Sequence, residues 1–395
     1  MVLDIINDKS TDNDSIMSYL SGMEDIGDEI MRKVLSDSST YDPGAYTAAH
    51  VSEALSKNRI DQRDFGALLS PAASGMLEQI AIRAKAETAR YFGNSIALFT
   101  PLYISNYCVN HCSYCGFNCE NKILRGKLTY GEIASELETI AATGLDDILL
   151  LTGESRAKSG VEYVGEAVRI ASGLFNSVGI EIYPLNTDEY EYMHQCGADF
   201  VSIYQETYDL QLYAKVHPAG PKRCFPYRFN ALERAVRGGM RGVSFGALLG
   251  LGDYHRDAYA TGLHAYYLQQ KYPRAEISFS VPRVRSFQNH PEGGGHDVGE
   301  RQLLQVMMAH RLFMPFAGIT ISTRERAGFR DHAANICATK MSAGVRVGVG
   351  GHGAEQKGGE QFDISDGRSV DEIHRMLAGS GRQPVYSDYI KQISN

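Results

Sequence analysis

The sequence is poor in the features that would place a protein in a membrane, outside the cell or on nucleic acid. No run of apolar residues approaches the ~20 that a membrane-spanning helix needs. The acidic N-terminus, MVLDIINDKSTDND, lacks the basic and then apolar pattern of a secretory leader. The net charge of −8 leaves no basic surplus to neutralise phosphates. We therefore expect a cytoplasmic protein that contacts neither membrane nor nucleic acid.

Tryptophan is absent, and the 12 histidines form no HExxH pattern, so no zinc-protease motif is present. Cysteine is also scarce, with 7 in 395 residues. So few thiols in a long chain without a leader do not indicate a disulfide framework, because the cytosol keeps thiols reduced. Cys196, Cys224 and Cys337 stand alone, whereas the other cysteines all fall within 108–119. This clustering indicates a metal site.

Short apolar runs alternate with amphipathic segments from about residue 95 onward. Helical spacing is clear at 130–144, 162–175 and 300–313. The runs that indicate buried strands are 96–105, 147–153, 179–185, 200–206, 242–251, 276–285, 318–325 and 336–344. Alternating strands and helices predict an α/β fold with a parallel sheet, and about eight such units close a (β/α)8 barrel of the TIM type. An open, doubly wound sheet is the alternative.

Two further segments flank the predicted barrel. Residues 1–94 contain helix-like stretches, of which 73–93 is the clearest, and no convincing strand. After residue 345 the sequence is rich in glycine over 347–362 and then shows one more helical pattern at 369–379. The predicted organisation is therefore an N-terminal helical extension (1–94), the barrel (95–345) and a C-terminal loop and helical segment that closes on the barrel (346–395).

Cys108, Cys112 and Cys115 follow the first predicted strand with C-x3-C-x2-C spacing. Three thiolates in one short loop can hold three irons of a [4Fe–4S] cluster and leave the remaining iron open to a ligand. Zinc is the main alternative, since Cys119 could complete a tetrahedron, but no second pair of cysteines follows. An electron-carrying ferredoxin is another alternative, although it needs a full set of cysteine ligands. We predict a cluster on the three cysteines, with Cys119 unligated.

This motif, with Tyr114 inside it and Gly116–Phe117 directly after it, resembles that of the radical S-adenosylmethionine (SAM) superfamily. The resemblance implies a radical SAM barrel, in which the open iron chelates the amino and carboxylate groups of SAM. It further implies a 5′-deoxyadenosyl radical that abstracts a hydrogen atom from a substrate, and it places Tyr114 and Phe117 at the cofactor. In such enzymes the cofactor performs the chemistry and the protein positions it.

Other stretches, several of them far from the cysteines, resemble the aromatic amino acid lyases and in particular the tyrosine lyase (2-iminoacetate synthase) family of thiamine thiazole biosynthesis. These stretches are 68–81, 92–108, 149–154, 204–208, 322–325 and 361–369. The family implies cleavage of the Cα–Cβ bond of L-tyrosine to 2-iminoacetate and p-cresol, with 5′-deoxyadenosine and methionine as by-products. It also implies thiazole synthase as protein partner and a flavodoxin or ferredoxin as electron donor.

The resemblance assigns SAM contacts at the predicted strand ends. Thr152, Gly153 and Glu154 correspond to the family's glycine-and-acid motif, whose carboxylate accepts hydrogen bonds from the SAM ammonium. A glutamate that merely favours a helix N-terminus is the structural alternative. Glu206 and Arg228 resemble a pair that contacts the ribose or methionine part of SAM, and a structural ion pair is the alternative there.

Substrate contacts are expected on other strands. Arg324, at the end of the seventh predicted strand, fits the position that pairs with the amino acid carboxylate, for which a planar guanidinium is suited. Ser342 is expected to share that carboxylate. Tyr103, on the first strand, is expected to touch SAM or the substrate, with core packing as the alternative. Arg283 and Arg285 are left without an assigned role.

Three other functions compete with this interpretation. A tryptophan lyase would share the barrel, the cluster loop and Arg324. Members of the 2-iminoacetate synthase family often have a tryptophan-containing pattern near the C-terminus, where this chain has Pro384–Tyr389 and no tryptophan. A hydrogenase-maturation tyrosine lyase needs ligands for a second cluster, whereas Cys337 is the single cysteine beyond 224. An iron–sulfur electron carrier is the non-enzyme alternative. Polar residues converging at strand ends favour an enzyme over a carrier.

Overall fold

The computed structural model describes residues 13–285 and 298–387. The outer ends of the predicted extension and closing segment, 1–12 and 388–395, lie outside these residues. The barrel strands are β1 (Ser95–Ser105), β2 (Asp147–Thr152), β3 (Ser177–Glu181), β4 (Phe200–Ser202), β5 (Gly242–Phe245), β6 (Glu276–Ser280), β7 (Gly318–Ile321) and β8 (Lys340–Ser342). All pair in parallel, and β1 bonds to both β2 and β8, which closes the ring. The predicted (β/α)8 barrel is confirmed, and the open sheet is wrong.

The helices lie before and between the strands. The N-terminal helices are α1 (Asn13–Ile16), α2 (Glu29–Ser39), α3 (Ala48–Ser56), α4 (Gln62–Leu69) and α5 (Leu77–Phe92). Those that alternate with strands are α6 (Tyr130–Ala141), α7 (Val161–Ser172), α8 (Thr187–Cys196), α9 (Leu210–Val216), α10 (Phe225–Phe229), α11 (Ala231–Arg237), α12 (Tyr254–Lys271), α13 (Glu300–Phe313) and α14 (Ala327–Ile336). Within the described part of the chain, no helix is both long and apolar enough to cross a membrane.

Local sequence signals explain several helix boundaries. Thr129 caps α6 and forms a capping box with Glu132, and Asn186 does the same for α8 with Glu189. Such boxes satisfy backbone N–H groups that have no partner within the helix. β2, with the sequence DILLLT, is buried along its whole length, as expected for a strand covered on both faces. The alternation seen in the sequence therefore reflects real strands and helices.

Most strands are shorter than the apolar runs that predict them. β4 ends at Ser202 and β5 at Phe245, and the residues that follow form loops joined by isolated bridges such as Glu206 with Ala247. The last predicted strand is wrong at its start, because Ile336 ends α14 and β8 begins at Lys340. Buried loops have the same apolar pattern as buried strands, so hydrophobicity alone does not locate strand ends.

The N-terminal helices pack on one side of the barrel. Helices α4 and α5 contact α13, and α2 contacts α12. Phe65 of α4 stacks on Phe313 of α13 with ring centroids 4.3 Å apart. Phe65 is fully buried, and an aromatic side chain buried in this way contributes about 1.5–3 kcal/mol through its transfer from water. The predicted domain boundaries at 94/95 and 345/346 stay predictions.

A strand pairing and a group of backbone hydrogen bonds attach the C-terminal segment to the barrel. Helix α15 (Val370–Gly379) confirms the predicted helix at 369–379. A ninth strand that the sequence did not predict, β9 (Gln383–Val385), pairs in parallel with the first residues of β1. The buried Glu136 of α6 accepts backbone hydrogen bonds from His352, Gly353 and Ala354 at 2.6, 3.2 and 3.0 Å. The glycine-rich stretch is thereby fixed beside the barrel mouth.

Candidate active site

A cavity of about 960 Å³ opens at the mouth of the barrel, where the C-terminal ends of the strands and the loops after them converge. Among the residues predicted from the sequence, its lining includes Tyr103, Cys108, Cys112, Tyr114, Cys115, Phe117, Thr152, Gly153, Glu154, Glu206, Arg228 and Arg324. Ser342 is not among the lining residues. It lies on β8, buried, and its hydroxyl has no partner among the described residues.

The cysteine loop between β1 and α6 is held by an arginine that sequence reasoning missed. Arg125 donates hydrogen bonds to the backbone carbonyls of Asn106 and Phe117 at 2.7 and 3.0 Å, and to that of Asn118 at 2.6 Å. Asn106 contributes from the other side, because its side-chain carbonyl accepts from the N–H of Gly126 at 2.8 Å. These bonds fix the loop backbone without using any cysteine side chain.

The three thiols of the motif face the cavity in dry surroundings. Burial raises the pKa of Cys108 to about 11 and raises that of Cys112 well above its ordinary value. Such thiols stay protonated at neutral pH unless a metal binds them. Within the described residues, no three side chains of the His, Cys, Asp and Glu types converge closely enough to hold a single metal ion. Cys119 does not line the cavity.

Two carboxylates and two cations of the cavity lining form a network. Arg228 Nη1 lies 3.0 Å from Glu154 Oε1, and its Nη2 lies 3.2 Å from Glu206 Oε1. Lys222 Nζ lies 2.8 Å from Glu206 Oε1 and 3.6 Å from Glu154 Oε1. Asn110, from the cysteine loop, donates to Glu154 Oε2 at 2.8 Å. The network therefore joins the cysteine loop to the residues that follow β2 and β4 and to the segment 222–228.

Mutual pairing keeps this buried network charged. Burial and the neighbouring Arg228 oppose the charge on Lys222, but Glu206 and Glu154 outweigh them and raise the pKa of Lys222. Burial likewise opposes the charge on Glu206, yet Lys222 and Arg228 lower its pKa below the ordinary value. A buried network of this kind is stable only when every charge has a partner. Lys222 was missed by sequence reasoning, because nothing in its local sequence distinguishes it.

The backbone at two of these positions is unusual. Glu206 has φ of 72°, a left-handed conformation that costs about 1–3 kcal/mol for a residue other than glycine. Asp257 supports this turn by accepting bonds from the Thr207 hydroxyl at 3.0 Å and from the Tyr208 N–H at 2.8 Å. A Cβ at Gly153 would lie 2.4 Å from the carbonyl oxygen of Tyr107. Glycine there lets β2 approach the cysteine loop.

Tyr114 is fixed by a buried histidine. His217 Nδ1 lies 2.9 Å from the carbonyl oxygen of Tyr213, which can only accept a hydrogen bond. Nδ1 must therefore carry a proton, and burial lowers the pKa of His217 well below its ordinary value, so the ring is neutral. Its Nε2 consequently accepts the hydroxyl hydrogen of Tyr114 over 2.7 Å. The Tyr114 ring is thus held at the edge of the cavity.

The C-terminal segment completes the cavity wall. Gln361 accepts a hydrogen bond from the Tyr103 hydroxyl at 2.8 Å and donates one to Cys115 Sγ at 3.8 Å. The guanidinium of Arg324 lies 3.5 Å from the ring centroid of Phe362 and donates no hydrogen bond to a described residue. Tyr103 also meets Phe117 edge to face, with centroids 5.8 Å apart. Gln361 and Phe362 belong to the stretch 361–369 that carried the family resemblance.

Two further ion-pair groups stabilise this side of the mouth. The buried Glu325 pairs with both Arg283 and Arg285, and Arg285 alone of these two arginines lines the cavity. The buried Asp366 pairs with Arg330 of α14 and with Arg368. The roles that the sequence left open for Arg283 and Arg285 are therefore at least structural, since both neutralise one buried carboxylate.

Comparisons with known proteins agree with this architecture. Residues 102–261 match the model of the radical SAM superfamily, and residues 280–383 match the biotin and thiamin synthesis associated domain. The chain is similar to a solved hydrogenase maturase, HydG, at a TM-score of 0.81 and 29% identity, covering 92% of this chain and 81% of that one. It also resembles the crystal structure of methylornithine synthase (PylB) in fold, at a TM-score of 0.67 and 23% identity, covering 85% of this chain and 97% of the other.

Comparison with sequence relatives identifies the family more specifically than the similarity in fold does. The chain is 39% identical to 2-iminoacetate synthase of Escherichia coli over 348 residues, which cover 87% of this chain and 91% of the relative. The corresponding enzyme of Salmonella typhimurium is 37% identical over the same shares of both chains. Identity at this level over nearly the full length of both proteins extends far beyond the cysteine motif. The chain therefore belongs to the 2-iminoacetate synthase family of the radical SAM superfamily.

Proposed function

We propose that this protein is a radical SAM carbon–carbon lyase that cleaves the Cα–Cβ bond of L-tyrosine to 2-iminoacetate and p-cresol, releasing 5′-deoxyadenosine and methionine. The observation that carries the proposal is the composition of one cavity. It brings together three thiols, a charge-balanced network around Glu154, and Arg324, whose guanidinium has no hydrogen-bond partner among the described residues. The first two suit an iron–sulfur cluster with SAM, and the third suits an amino acid carboxylate.

Cys108, Cys112 and Cys115 would hold the [4Fe–4S] cluster. The fit rests on three soft donors from a single loop whose backbone is fixed by Arg125. A cubane presents a different iron to each thiolate, so the thiols need not converge on one point. When bound, the cluster and SAM supply a 5′-deoxyadenosyl radical that abstracts a hydrogen atom from the substrate. The protein contributes a dry cavity that separates this chemistry from water.

Glu154, Glu206 and Arg228 would bind SAM, together with Thr152, Gly153, Tyr114 and Phe117. Each carboxylate oxygen has about two acceptor sites. Glu154 uses one oxygen for Arg228 and the other for Asn110, so acceptor sites remain for the SAM ammonium. The Thr152 hydroxyl is buried without a partner among the described residues, and it would complete the same polar wall. The ion pairs at Glu154 hold the carboxylate in place before SAM arrives.

Arg324 would bind the tyrosine carboxylate, with Ser342 and Tyr103 beside the substrate. Arg324 is held by its cation–π contact with Phe362, which leaves its N–H groups available. The Ser342 hydroxyl, buried and without a partner among the described residues, can turn toward an acceptor. Tyr103 is oriented by Gln361. These contacts fix the amino acid before hydrogen abstraction, which is the main contribution a protein makes to such a reaction.

We further propose that the enzyme acts in the cytoplasm, receives electrons from a flavodoxin or ferredoxin, and delivers its product to thiazole synthase. The chemistry of the product supports a direct transfer, because an imine of this kind hydrolyses readily in water. The hydrogenase-maturation lyase receives less support. Identity to 2-iminoacetate synthase of Escherichia coli is 39%, against 29% to the solved maturase HydG.

The test is anaerobic turnover of the reconstituted enzyme. The protein is loaded with iron and sulfide, then given SAM, a low-potential reductant and either tyrosine or tryptophan. We expect 5′-deoxyadenosine and p-cresol, detected by mass spectrometry, with tyrosine alone. Formation of 5′-deoxyadenosine without p-cresol would retain the radical SAM chemistry and reject tyrosine as substrate. A cluster-loaded enzyme that cleaves no SAM with either amino acid would reject both.

A further inference from the structure

Glu181, the last residue of β3, is a carboxylate that the mechanism above does not use. It lines the cavity, and sequence reasoning gave it no role. The other two carboxylates in the lining, Glu154 and Glu206, each form ion pairs with Arg228 and Lys222. Glu181 forms no ion pair with a described residue; burial raises its pKa, and Arg324 is the cation that acts in the opposite direction. An inward-facing carboxylate without a cation is costly unless a ligand supplies a donor.

Glu181 and Arg324 face each other across the cavity. Strands β3 and β7 lie on opposite walls of the closed barrel, and Arg324 follows β7 directly. Each charge influences the other, since Arg324 lowers the pKa of Glu181, yet their side chains do not meet in a salt bridge. Two opposite charges separated by an open cavity form a binding site for a molecule with an anionic group at one end and a hydrogen-bond donor at the other.

The walls between these charges suit a flat apolar body. They are formed by Tyr103, Phe117, Leu151, Ile182 and Phe362. The first three belong to one apolar cluster, and Phe362 packs against it. Aromatic rings arranged edge to face, as Tyr103 and Phe117 are, accept a further ring favourably. A ligand that spans the cavity would therefore have an aromatic middle.

We propose that Glu181 determines specificity for a phenol: its carboxylate accepts a hydrogen bond from the 4-hydroxyl of the tyrosine whose own carboxylate is bound by Arg324. This inference rests on the proposed function, because it assumes that tyrosine occupies the cavity. It adds a residue that recognises the side chain to those that recognise the amino acid backbone. Phenylalanine offers Glu181 no donor, whereas the tyrosine hydroxyl would add a donor to the hydroxyls of Tyr204 and Ser202.

The local environment agrees with a carboxylate that faces the cavity without an ion-pair partner among the described residues. Burial raises the pKa of Glu181 to about 7, although Arg324 and the hydroxyls of Tyr204 and Ser202 act in the opposite direction. A site built to bind a substrate hydroxyl can reject the analogue without it by a factor of about 10⁴–10⁵. Arg324, which contributes equally to both amino acids, gives no such discrimination. Discrimination between tyrosine and phenylalanine therefore isolates the role of Glu181.

The experiment compares the binding of tyrosine and of phenylalanine to the cluster-loaded enzyme with SAM, under anaerobic conditions and without reductant, so that no turnover occurs. The variants are Glu181→Leu and Glu181→Gln, and Glu166→Leu on the exposed side of α7 is the matched control. We expect the wild type to bind tyrosine at least ~100-fold more tightly than phenylalanine, since a charged acceptor left unpaired costs about 1.5–3 kcal/mol or more.

In Glu181→Leu, we expect tyrosine to bind about 100-fold more weakly and phenylalanine to bind as well as before or better. Glu181→Gln, which keeps an acceptor oxygen, should retain part of the preference. Unchanged binding of phenylalanine would itself show that the variant site is folded. Equal weakening of both amino acids, or an undiminished preference for tyrosine in Glu181→Leu, would overturn the inference.

The outcome for Glu181 can be separated from that for the lyase. If the preference for tyrosine depends on Glu181 but the wild type forms no p-cresol on reduction, the lyase proposal fails and the recognition site stands. If p-cresol forms and the preference does not depend on Glu181, the recognition inference fails alone. If the wild type binds neither amino acid, both proposals are rejected.

Discussion

In the half of the barrel mouth built by β2 to β5, the carboxylates Glu154 and Glu206 are matched by the cations Lys222 and Arg228. In the half built by β6 to β8, Arg283 and Arg285 surround the carboxylate of Glu325, and Arg324 stands apart over an aromatic ring. The four charges of this network balance one another, and Glu181 of β3 faces the cavity without an ion-pair partner among the described residues. The second half presents a positive charge to the cavity.

This difference separates two requirements of the proposed reaction. A neutral, fully paired network makes a rigid frame, because moving any one side chain would leave a buried charge unpaired. An arginine without hydrogen-bond partners keeps its donors for a ligand. We infer that the paired network of the first half holds the cofactor in place, and that Arg324 of the second half, with Glu181 across the cavity, selects the substrate. The predictions below test this separation, in order of decreasing effect.

Replacing a cysteine of the motif should remove the function of the first half altogether. Cys112→Ser deletes one of three thiol ligands, so we expect cluster content and 5′-deoxyadenosine formation to fall to background. Iron and sulfide analysis, with low-temperature EPR of the reduced protein, measures this. Cys119→Ser is the control, since Cys119 does not line the cavity and should be replaceable. Loss of the cluster in Cys119→Ser would contradict the three-cysteine assignment.

Arg324→Met should affect the substrate alone. We expect kcat/KM for tyrosine to fall about 100-fold, because charge-assisted hydrogen bonds to the carboxylate are worth about 1.5–3 kcal/mol each. The free energy of unfolding should change by only about 1 kcal/mol, since the guanidinium of Arg324 loses its cation–π contact with Phe362 but no hydrogen bond to a described residue. Steady-state kinetics and denaturant unfolding of the same preparation measure both.

Arg228→Met provides the contrast within the other half. It leaves Glu154 and Glu206 with Lys222 as their common cation, and breaking a buried network in this way costs about 3–5 kcal/mol of stability. Denaturant unfolding should therefore show a large loss of stability for Arg228→Met and a small one for Arg324→Met. Equal destabilisation by the two substitutions would abolish the distinction between the halves.

The turn that carries Glu206 should respond to pH through Asp257. Burial raises the pKa of Asp257 from 3.8 to about 7, and the donors on Tyr208 and Thr207 only partly offset this. A raised pKa means that the folded state holds the proton more tightly, so the stabilisation is complete at low pH and is lost as pH rises through about 7.

Asp257→Asn keeps the acceptor oxygen and cannot ionise. Unfolding free energies measured from pH 4 to 8 should therefore fall less steeply in this variant than in the wild type, by up to about 1.4 kcal/mol per pH unit. Because Glu181 titrates in the same direction, Glu181→Gln is the matched comparison. An Asp257→Asn protein with the wild-type slope would show that Asp257 does not titrate in this range.

The smallest expected effect lies where the C-terminal segment meets the cysteine loop. Gln361→Leu removes the N–H donor to Cys115 Sγ. Such donors stabilise the more negative, reduced cluster, so the reduction potential should fall, by about 40 mV for a bond of ~1 kcal/mol. An EPR-monitored redox titration measures this. Tyr103→Phe, which leaves that donor intact, should shift the potential less, and an equal shift in both variants would contradict the role of Gln361.

Much of the fold was predictable because it depends on local patterns. Alternating apolar and amphipathic runs identified every barrel strand and the order of strands and helices, and the motif 108–115 needed no structure because its three cysteines lie within a single loop. Strand ends were less predictable, since residues such as 203–205 are buried in loops with the same composition as strands. Strand β9, which also pairs in parallel with β1, was missed because a strand of three residues shows too little apolar alternation to be predicted.

The family, and with it the cysteine motif and the positions of Glu154, Glu206, Arg228 and Arg324, could be identified from the sequence alone. The sequence did not reveal the partners that hold these residues in place and balance their charges. Lys222, Gln361 and Glu181 reach the cavity from segments that lie far apart in the chain. A buried charge is tolerated only where its partners are, and only the closed barrel brings those partners together.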